Sequence, residues 1–269
     1  MPFTNTKENG LESLIVMWLT TQNGYEEGTN ADYNKEYAVD ETRLFRFLQD
    51  TQPKEMTKLG VFISETKKRQ FLNRLSGEIA KRGIIDVLRN GVKVYPADLI
   101  MFYLTPTENN EQARIMYEKN IFSVTRQLRY SQDAGKLALD VCLFINGLPV
   151  ITMELKNQLT KQNTENAVRQ YKEDRDFHDL LFSFKRCMVH FAVDDATIQF
   201  CTKLAGKNSW FLPFNKGYHD GAGNPPNPNG LMTDYLWKDI LTRRKLSRII
   251  ENYAQVIEEV DEDTKKKSI

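Results

Sequence analysis

The sequence is poor in the features that build disulfide frameworks, zinc sites and membrane spans. Its 269 residues include only 3 cysteines, at positions 142, 187 and 201, and no Cys-x-x-Cys pair, so neither a disulfide framework nor a cysteine-rich zinc site is predicted. No apolar run approaches the roughly 20 residues that cross a bilayer, and the start MPFTNTKENGLES lacks the regions of a signal peptide. We therefore expect a cytoplasmic protein without a membrane partner.

Several catalytic motifs are absent as well. No GxxxxGK[ST] or GxGxxG loop follows a strand and no GxSxG elbow occurs, so the chain itself should not bind ATP or a dinucleotide. His178, His190 and His219 lie too far apart for an HExxH zinc pair. The formal net charge is +1, so any contact with nucleic acid must come from a local basic surface and not from bulk charge.

The most informative stretch that is present is LALDVCLFINGLPVITMELKN. It places Asp140 on one apolar strand, and Glu154 and Lys156 on a second strand after a turn. Strand side chains alternate between faces, so Glu154 and Lys156 share a face. Charges beside so apolar a run are costly unless they are paired or bind a metal. The alternative is that the strands emerge into solvent here and that these are ordinary surface charges, since the D-x(n)-ExK pattern is loose.

The length of the turn decides whether the two carboxylates meet. A two-residue loop, Asn146-Gly147, would set Asp140 opposite Met153 and put Asp140 and Glu154 on opposite faces. One more residue in the loop, or a bulge with the same effect, pairs Asp140 with Glu154 about 5 Å apart at Cβ. We therefore predict a three-residue connection or an equivalent bulge.

Other segments predict helices and strands around this hairpin. Apolar residues at helical spacing predict an amphipathic helix over residues 9–22, and a second helix over 164–176. Glu12 lies beside the apolar stripe of the first helix, either as a functional acid or as the partner of Asn9 in a capping box. The segment IIDVLRNGVKV predicts two short strands around Asn90-Gly91.

The order of several blocks resembles a known family. YEKNIFSVTRQLRYS, LDVCLFINGLPVITMELKNQLT, ENAVRQYKEDRD, FAVD and WFLPFNKG together resemble the N-terminal nuclease region of the restriction (motor) subunit of type I restriction-modification enzymes, from about Leu11 to Leu241. The resemblance implies an α/β fold with a PD-(D/E)xK restriction-endonuclease-like core, a mixed twisted sheet flanked by helices. It also implies a nuclease domain over residues 1–241, and a helical charged tail over 242–269 that leads toward a helicase-like motor absent from this chain.

The same resemblance implies partners and surroundings. We expect double-stranded DNA, the methyltransferase and specificity subunits of a prokaryotic complex, and the motor domains of a longer chain as partners. ATP would serve only that full-length subunit.

Carried onto this sequence, the family's nuclease motif falls on Asp140, Glu154 and Lys156. The helix after the Glu-x-Lys strand commonly supplies Gln-x-x-x-Tyr in such nucleases, whereas here Gln170 and Tyr171 are adjacent. We expect one of these two to position Lys156 or a phosphate, but the departure leaves their individual roles open.

Carboxylate oxygens favour Mg²⁺, a hard cation that keeps several waters. We expect Asp140 and Glu154 as its ligands, with the Leu155 carbonyl as a possible third ligand. Glu12 matches the acid that this nuclease class often supplies from its first helix. Lys156 would orient water and stabilise charge in the transition state.

The nearest basic residues for contact with the DNA backbone are Arg126, Arg129 and Lys161, although each could equally be a solvated surface charge. The sequence thus predicts a Mg²⁺-dependent endonuclease domain, a type I site-specific deoxyribonuclease. The alternatives are a catalytically silent module of the same fold that docks DNA or a subunit, and a stand-alone repair nuclease.

Overall fold

The structure is a computed structural model that describes residues 8–132, 137–157, 161–257, 259–261 and 266–268. The α-helices in this part of the chain are α1 (Glu8–Thr21), α2 (Glu41–Thr51), α3 (Pro53–Leu59), α4 (Glu65–Arg82), α5 (Ile84–Asn90), α6 (Glu111–Glu118), α7 (Thr164–Glu173) and α8 (Arg243–Arg248). A 3-10 turn at Leu180–Phe182 and π-helical turns at Leu236–Ile240 and Ile249–Tyr253 accompany them.

The strands form one large sheet and three small pairs. They are β1 (Glu26–Glu27), β2 (Tyr33–Asn34), β3 (Val39–Asp40), β4 (Val92–Val94), β5 (Ala97–Leu99), β6 (Phe122–Leu128), β7 (Leu139–Ile145), β8 (Leu148–Leu155), β9 (Val189–Val193), β10 (Ile198–Cys201), β11 (Leu212–Pro213), β12 (Glu259–Asp261) and β13 (Lys266–Ser268).

The large sheet has seven strands in the order β1-β6-β7-β8-β9-β10-β11. The β1–β6 and β8–β9 pairs are parallel, and the other four pairs are antiparallel. Helices cover both faces. The predicted α/β architecture, a mixed twisted sheet flanked by helices, is therefore confirmed.

Alternation along β7 separates the core into two layers. Val141 and Leu143 belong to the larger cluster, which also takes buried residues from α1, α2, α4 and α5. Cys142 and Phe144 point the other way, into a cluster shared with α7. Asp140 follows the period of Cys142 and Phe144 and therefore lies on the α7 face, where that face reaches the end of the sheet.

The β7–β8 turn is short and buried. Ile145 pairs with Leu148, so the loop consists of Asn146 and Gly147 alone. Both have positive φ angles, 51° and 79°, as a tight hairpin of this kind requires. The Gly147 carbonyl accepts a hydrogen bond from the Asp40 amide at 2.8 Å, so the turn is docked against the start of α2.

A β-bulge then changes the register. Val150 has no partner on β7, and beyond it Val141 pairs with Met153. Continuing that pairing sets Asp140 opposite Glu154, on one face of the sheet. The predicted shift in register is confirmed in its bulge form, whereas the three-residue loop is not found.

Of the two strands predicted around Asn90-Gly91, the first is wrong and the second is present as β4. Residues 84–90 form α5, because Ile84, Val87 and Leu88 are buried at helical spacing against the main core. Gly91, with φ of 66°, ends that helix, and the real hairpin joins β4 to β5 beyond it. The helix predicted over residues 9–22 is confirmed as α1.

The residues after 241 continue into the core. Leu246 and Ile250 are buried in the main cluster, and Arg89 donates to the Ile250 carbonyl at 2.6 Å. The tail predicted as helical contains α8 and a π-helical turn, but β12 and β13 pair antiparallel beyond them, which corrects that part of the prediction. The domain division at residue 241 stays a prediction about a longer protein. Within the described ranges, no helix is long and apolar enough to cross a membrane.

Candidate active site

Asp140 is the second residue of β7 and is half-buried. Its Oδ2 accepts a hydrogen bond from the Leu155 backbone amide at 2.8 Å, and its Oδ1 accepts one from the Gln127 side chain at 3.2 Å. The first bond ties the Asp140 carboxylate to β8 immediately after Glu154. The two acidic residues are therefore held side by side by both register and side-chain contact.

Glu154 is completely buried at the end of β8. Its Oε1 accepts a hydrogen bond from Arg175 Nε at 2.7 Å and forms an ion pair with Arg175 Nη2 at 2.6 Å. Its Oε2 has no hydrogen-bond partner among the residues that the structure describes. An unsatisfied buried carboxylate oxygen is costly, and such atoms commonly mark a site for an ion or ligand.

The pKa of Glu154 and the pKa of Arg175 are both shifted by burial and by neighbouring groups. Burial, with Asp140 adding to it, raises the pKa of Glu154 well above its ordinary value, while Arg175 and Lys156 oppose the shift. Burial lowers the pKa of Arg175, but Glu154 and Tyr130 together more than compensate, so that the pKa of this guanidinium is raised. The direction for Glu154 follows from its complete burial beside a second acid.

Glu12 on α1 reaches the same place. It is buried, with 8% of its surface exposed, and it accepts a hydrogen bond from the Gln127 amide group that also donates to Asp140. Gln127 thereby links the two acids. The alternative capping role depends on the Asn9 side chain, which lies outside the described residues; α1 itself begins at Glu8.

Gln127 has an unusual backbone. It lies between Arg126 and Leu128, which pair with Val141 and Leu139 of β7, and its φ angle is 50°. A non-glycine residue in this region is strained, and such strain tends to be kept at functional sites. The conformation turns the Gln127 amide toward Glu12 and Asp140.

Lys156 follows β8 directly. Its backbone amide donates to the Val193 carbonyl at 2.8 Å, which fixes the chain at this point, and its side chain is half-buried. Its charge acts on the buried Glu154 carboxylate. The structure thus brings Asp140, Glu154 and Lys156 together, as their order in the sequence predicts.

Gln170 and Tyr171 are placed differently from each other. Tyr171 is completely buried, and its hydroxyl shares a hydrogen bond with Thr152 Oγ1 at 2.8 Å. It therefore supports β8 from within the core and offers no surface to a phosphate. Gln170 is half-buried, and its carbonyl accepts from the Arg175 amide at 3.1 Å. The main chain of Gln170 thus helps to set the position of Arg175.

The three predicted DNA contacts are all exposed. Arg126 forms an ion pair with Glu27 at 3.3 Å, which offsets part of its charge. The Arg129 amide donates to Asn30 at 2.7 Å, so its backbone is fixed beside the site. Lys161 lies in the connection between β8 and α7.

The model of the type I restriction enzyme R protein N terminus matches residues 5–209, which is well over half of the chain. The chain belongs to this family. A relative from Methanocaldococcus jannaschii, named as the MjaVIIIP endonuclease subunit of a type I restriction enzyme, is 25% identical over 189 residues, covering 68% of this chain and 17% of the relative. The chain thus spans about a sixth of the length of that relative.

The matched residues 5–209 include two residues of the site that the sequence did not predict there. Arg175 and Gln127 both stood within blocks that carry the resemblance, RQYKEDRD and SVTRQLRYS. Their position within these two blocks is the signal that the sequence offers for them. Their contacts depend on the folded path of the chain, and spacing alone did not reveal them.

The site of this R protein N-terminal domain suits a hard cation with few protein ligands. In the described ranges, no group of three or more His, Cys, Asp or Glu side chains could hold a metal ion. Asp140 and the unpartnered Oε2 of Glu154 remain as a pair of carboxylate donors on one face. Mg²⁺ is commonly held by one or two carboxylates, with waters and phosphate oxygens completing its coordination, so the residues present fit that ion.

Proposed function

We propose that this R protein N-terminal domain is a Mg²⁺-dependent DNA endonuclease that hydrolyses phosphodiester bonds within a type I restriction complex. The observation that carries the proposal is the convergence of Asp140, Glu154 and Lys156 at one end of β7 and β8. The buried, unpartnered Glu154 oxygen supports it further. The family supports the nuclease role, and the chemistry is our inference from the geometry.

In this proposal Asp140 and Glu154 hold the metal ion. When bound, Mg²⁺ would supply positive charge for the scissile phosphate and lower the pKa of a water. The third acid, Glu12, is joined to Asp140 through Gln127, and we propose it as an auxiliary acid that acts through that amide or through water.

Lys156 would have a separate task. Lys156 directly follows β8, and its ammonium group would donate a hydrogen bond to the attacking water. It would also offset negative charge that develops on the phosphate, a contribution that is large when the donor is fixed in advance. Arg129 and Lys161 would hold the DNA backbone beside the site without reading its sequence.

The proposed partners follow from the family. They are double-stranded DNA, the methyltransferase and specificity subunits, and ATP-driven motor domains in the remainder of the longer protein. ATP would act on the motor and not on this chain.

A plasmid-nicking assay tests the proposal. The chain should nick supercoiled DNA with Mg²⁺ and not with EDTA, and Lys156→Ala should slow nicking by about 100-fold or more, the usual loss for a fixed charge-stabilising donor. Lys54→Ala, an exposed lysine on α3, is the matched control and should nick normally.

In the complete complex, Lys156→Ala should abolish restriction while ATP-driven translocation persists. Mg²⁺-dependent nicking by Lys156→Ala at the normal rate would reject the site. A wild-type chain that binds DNA but never nicks it, alone or in the complex, would instead support the silent docking module.

A further inference from the structure

Arg175 connects the ends of three neighbouring strands at the site. Its side chain is 1% exposed. Nε donates to Glu154 Oε1 on β8, and Nη2 forms an ion pair with the same oxygen. Nη2 donates to the Ala138 carbonyl at 2.7 Å, and Nη1 donates to the Tyr130 hydroxyl at 3.3 Å. Ala138 directly precedes β7, and Tyr130 follows β6. No other residue described by the structure makes this set of contacts.

We infer that Arg175 is a positioning residue that fixes the Glu154 carboxylate so that Oε2 alone is offered as a metal ligand. The inference rests on the proposed function, because it concerns the same site. Two nitrogens of one guanidinium contact Oε1, Nε through a hydrogen bond and Nη2 through an ion pair, and Oε2 is left without a hydrogen-bond partner among the described residues. Glu154 would then bind the metal through one oxygen.

The guanidinium is itself held in place. Its Cζ atom lies 5.5 Å from the centre of the Tyr130 ring, and the Ala138 carbonyl accepts from the nitrogen that also reaches Glu154. Because Ala138 stands two residues before Asp140, Arg175 also sets the spacing between the two strands that carry the acids. A side chain that only neutralised Glu154 would not need these additional contacts.

Lysine could not replace this arrangement. Its single ammonium group could supply charge to Glu154, but it lacks the planar fork that directs separate donors to Glu154, Ala138 and Tyr130 at once. In Arg175→Lys the Glu154 carboxylate would keep a cationic neighbour and lose its fixed orientation. Charge compensation and orientation can therefore be separated by this one substitution.

Calorimetric titration of the chain with Mg²⁺, without DNA, tests the inference independently of cleavage. Arg175→Lys should bind Mg²⁺ at least tenfold more weakly than wild type, and its half-saturating Mg²⁺ concentration for nicking should rise by a similar factor. Arg186→Lys is the matched control: Arg186 is also buried and donates to the Tyr37 carbonyl, away from the site. Its Mg²⁺ affinity should equal that of wild type.

Tyr130→Phe provides a second test if Arg175→Lys does not fold. It keeps the ring beside the guanidinium and removes only the hydroxyl that accepts from Nη1, and it should weaken Mg²⁺ binding two- to threefold. Wild-type Mg²⁺ affinity in every folded variant at Arg175 and Tyr130 overturns the inference while leaving the proposed function intact. A wild-type chain that neither binds Mg²⁺ nor nicks DNA overturns both.

Discussion

At the scale of single residues, the two central acids stand in opposite environments. Glu154 is fully buried and paired with a buried arginine, whereas Asp140 is half-buried and accepts from a backbone amide. Removing one member of a buried ion pair leaves an uncompensated charge, which is far costlier than losing a partly solvated one. Replacing each acid should therefore change the free energy of unfolding by a different amount, although both belong to the proposed metal site.

Glu154→Gln should lower the free energy of unfolding by about 3–5 kcal/mol, because it leaves the Arg175 cation buried without its counter-charge. Asp140→Asn should change the free energy of unfolding by no more than about 1 kcal/mol, because the side-chain carbonyl oxygen of the asparagine can still accept from the Leu155 backbone amide. Urea unfolding measures both, and both variants should fail to nick DNA. Equal stability of the two variants would contradict the environments described here.

His190 gives a pH dependence that is independent of the site chemistry. Burial lowers its pKa from the ordinary 6.5 to about 3, and its ring shares a hydrogen bond with Thr152 Oγ1 at 2.7 Å. Its neutral form is therefore favoured in the folded state, while the unfolded chain binds a proton below about pH 6.5. The stability that His190 contributes is lost as the pH falls from about 6.5 toward 3.

We expect the free energy of unfolding of wild type to fall by about 2 kcal/mol more between pH 7 and pH 5 than that of His190→Gln. Denaturant titrations at the two pH values supply the comparison, and the acidic residues common to both chains cancel. Parallel pH profiles would show that His190 titrates normally in the folded protein.

At the scale of elements, the β7–β8 turn is a fixed point of the fold. A Cβ built on Gly147 would lie 2.4 Å from the Asp40 carbonyl oxygen and 2.5 Å from the Leu44 amide nitrogen. Both atoms belong to the backbone, at the start of α2, and cannot move aside cheaply. The φ angle of 79° adds strain for any other residue.

Gly147→Ala should therefore destabilise the protein by about 3 kcal/mol or more, through backbone overlap and strain. Gly77→Ala is its opposite control, because Gly77 lies within α4 and a Cβ there meets nothing within 4 Å. That change should stabilise the chain by about 0.5–1 kcal/mol. Thermal or urea unfolding would show the two effects with opposite signs.

Local signals predicted elements better than they predicted contacts. The helices α1 and α7 follow from apolar spacing, and the bulge follows from requiring two carboxylates to meet. The segment at residues 84–90 misled because Asn-Gly is a strong turn signal, yet burial of three aliphatic residues on one helical face outweighed it. Arg175 escaped prediction because its partners stand 21, 37 and 45 residues away, and no local pattern encodes such contacts.

At the scale of the whole molecule, a formal net charge of +1 gives little general attraction to DNA. Duplex binding by the isolated chain should be weak and should fall steeply with salt, with a log–log slope of about 0.9 for each neutralised phosphate. Arg129→Ala and Lys161→Ala should each reduce that slope by about one, and Lys54→Ala should not. Fluorescence anisotropy with Ca²⁺ in place of Mg²⁺ would measure the DNA affinity at each salt concentration and so give this slope.

The sequence lacks a phosphate-binding loop, and a prediction about ATP follows from this. The isolated chain should neither bind nor hydrolyse ATP, because it has no glycine-rich turn with a lysine to hold the triphosphate. Micromolar ATP binding by calorimetry would contradict this.

Val150, which has no partner on β7, makes the proposed site depend on a residue outside it. Deleting that single apolar residue would leave Asp140, Glu154 and Lys156 in place in the sequence, yet it would turn the two acids to opposite faces of the sheet. A chain with such a deletion would keep the D-x(n)-ExK pattern and should still fail to cleave DNA. On the proposed assignment, the number of residues between the two acids therefore matters to the activity of this chain as much as the acids themselves.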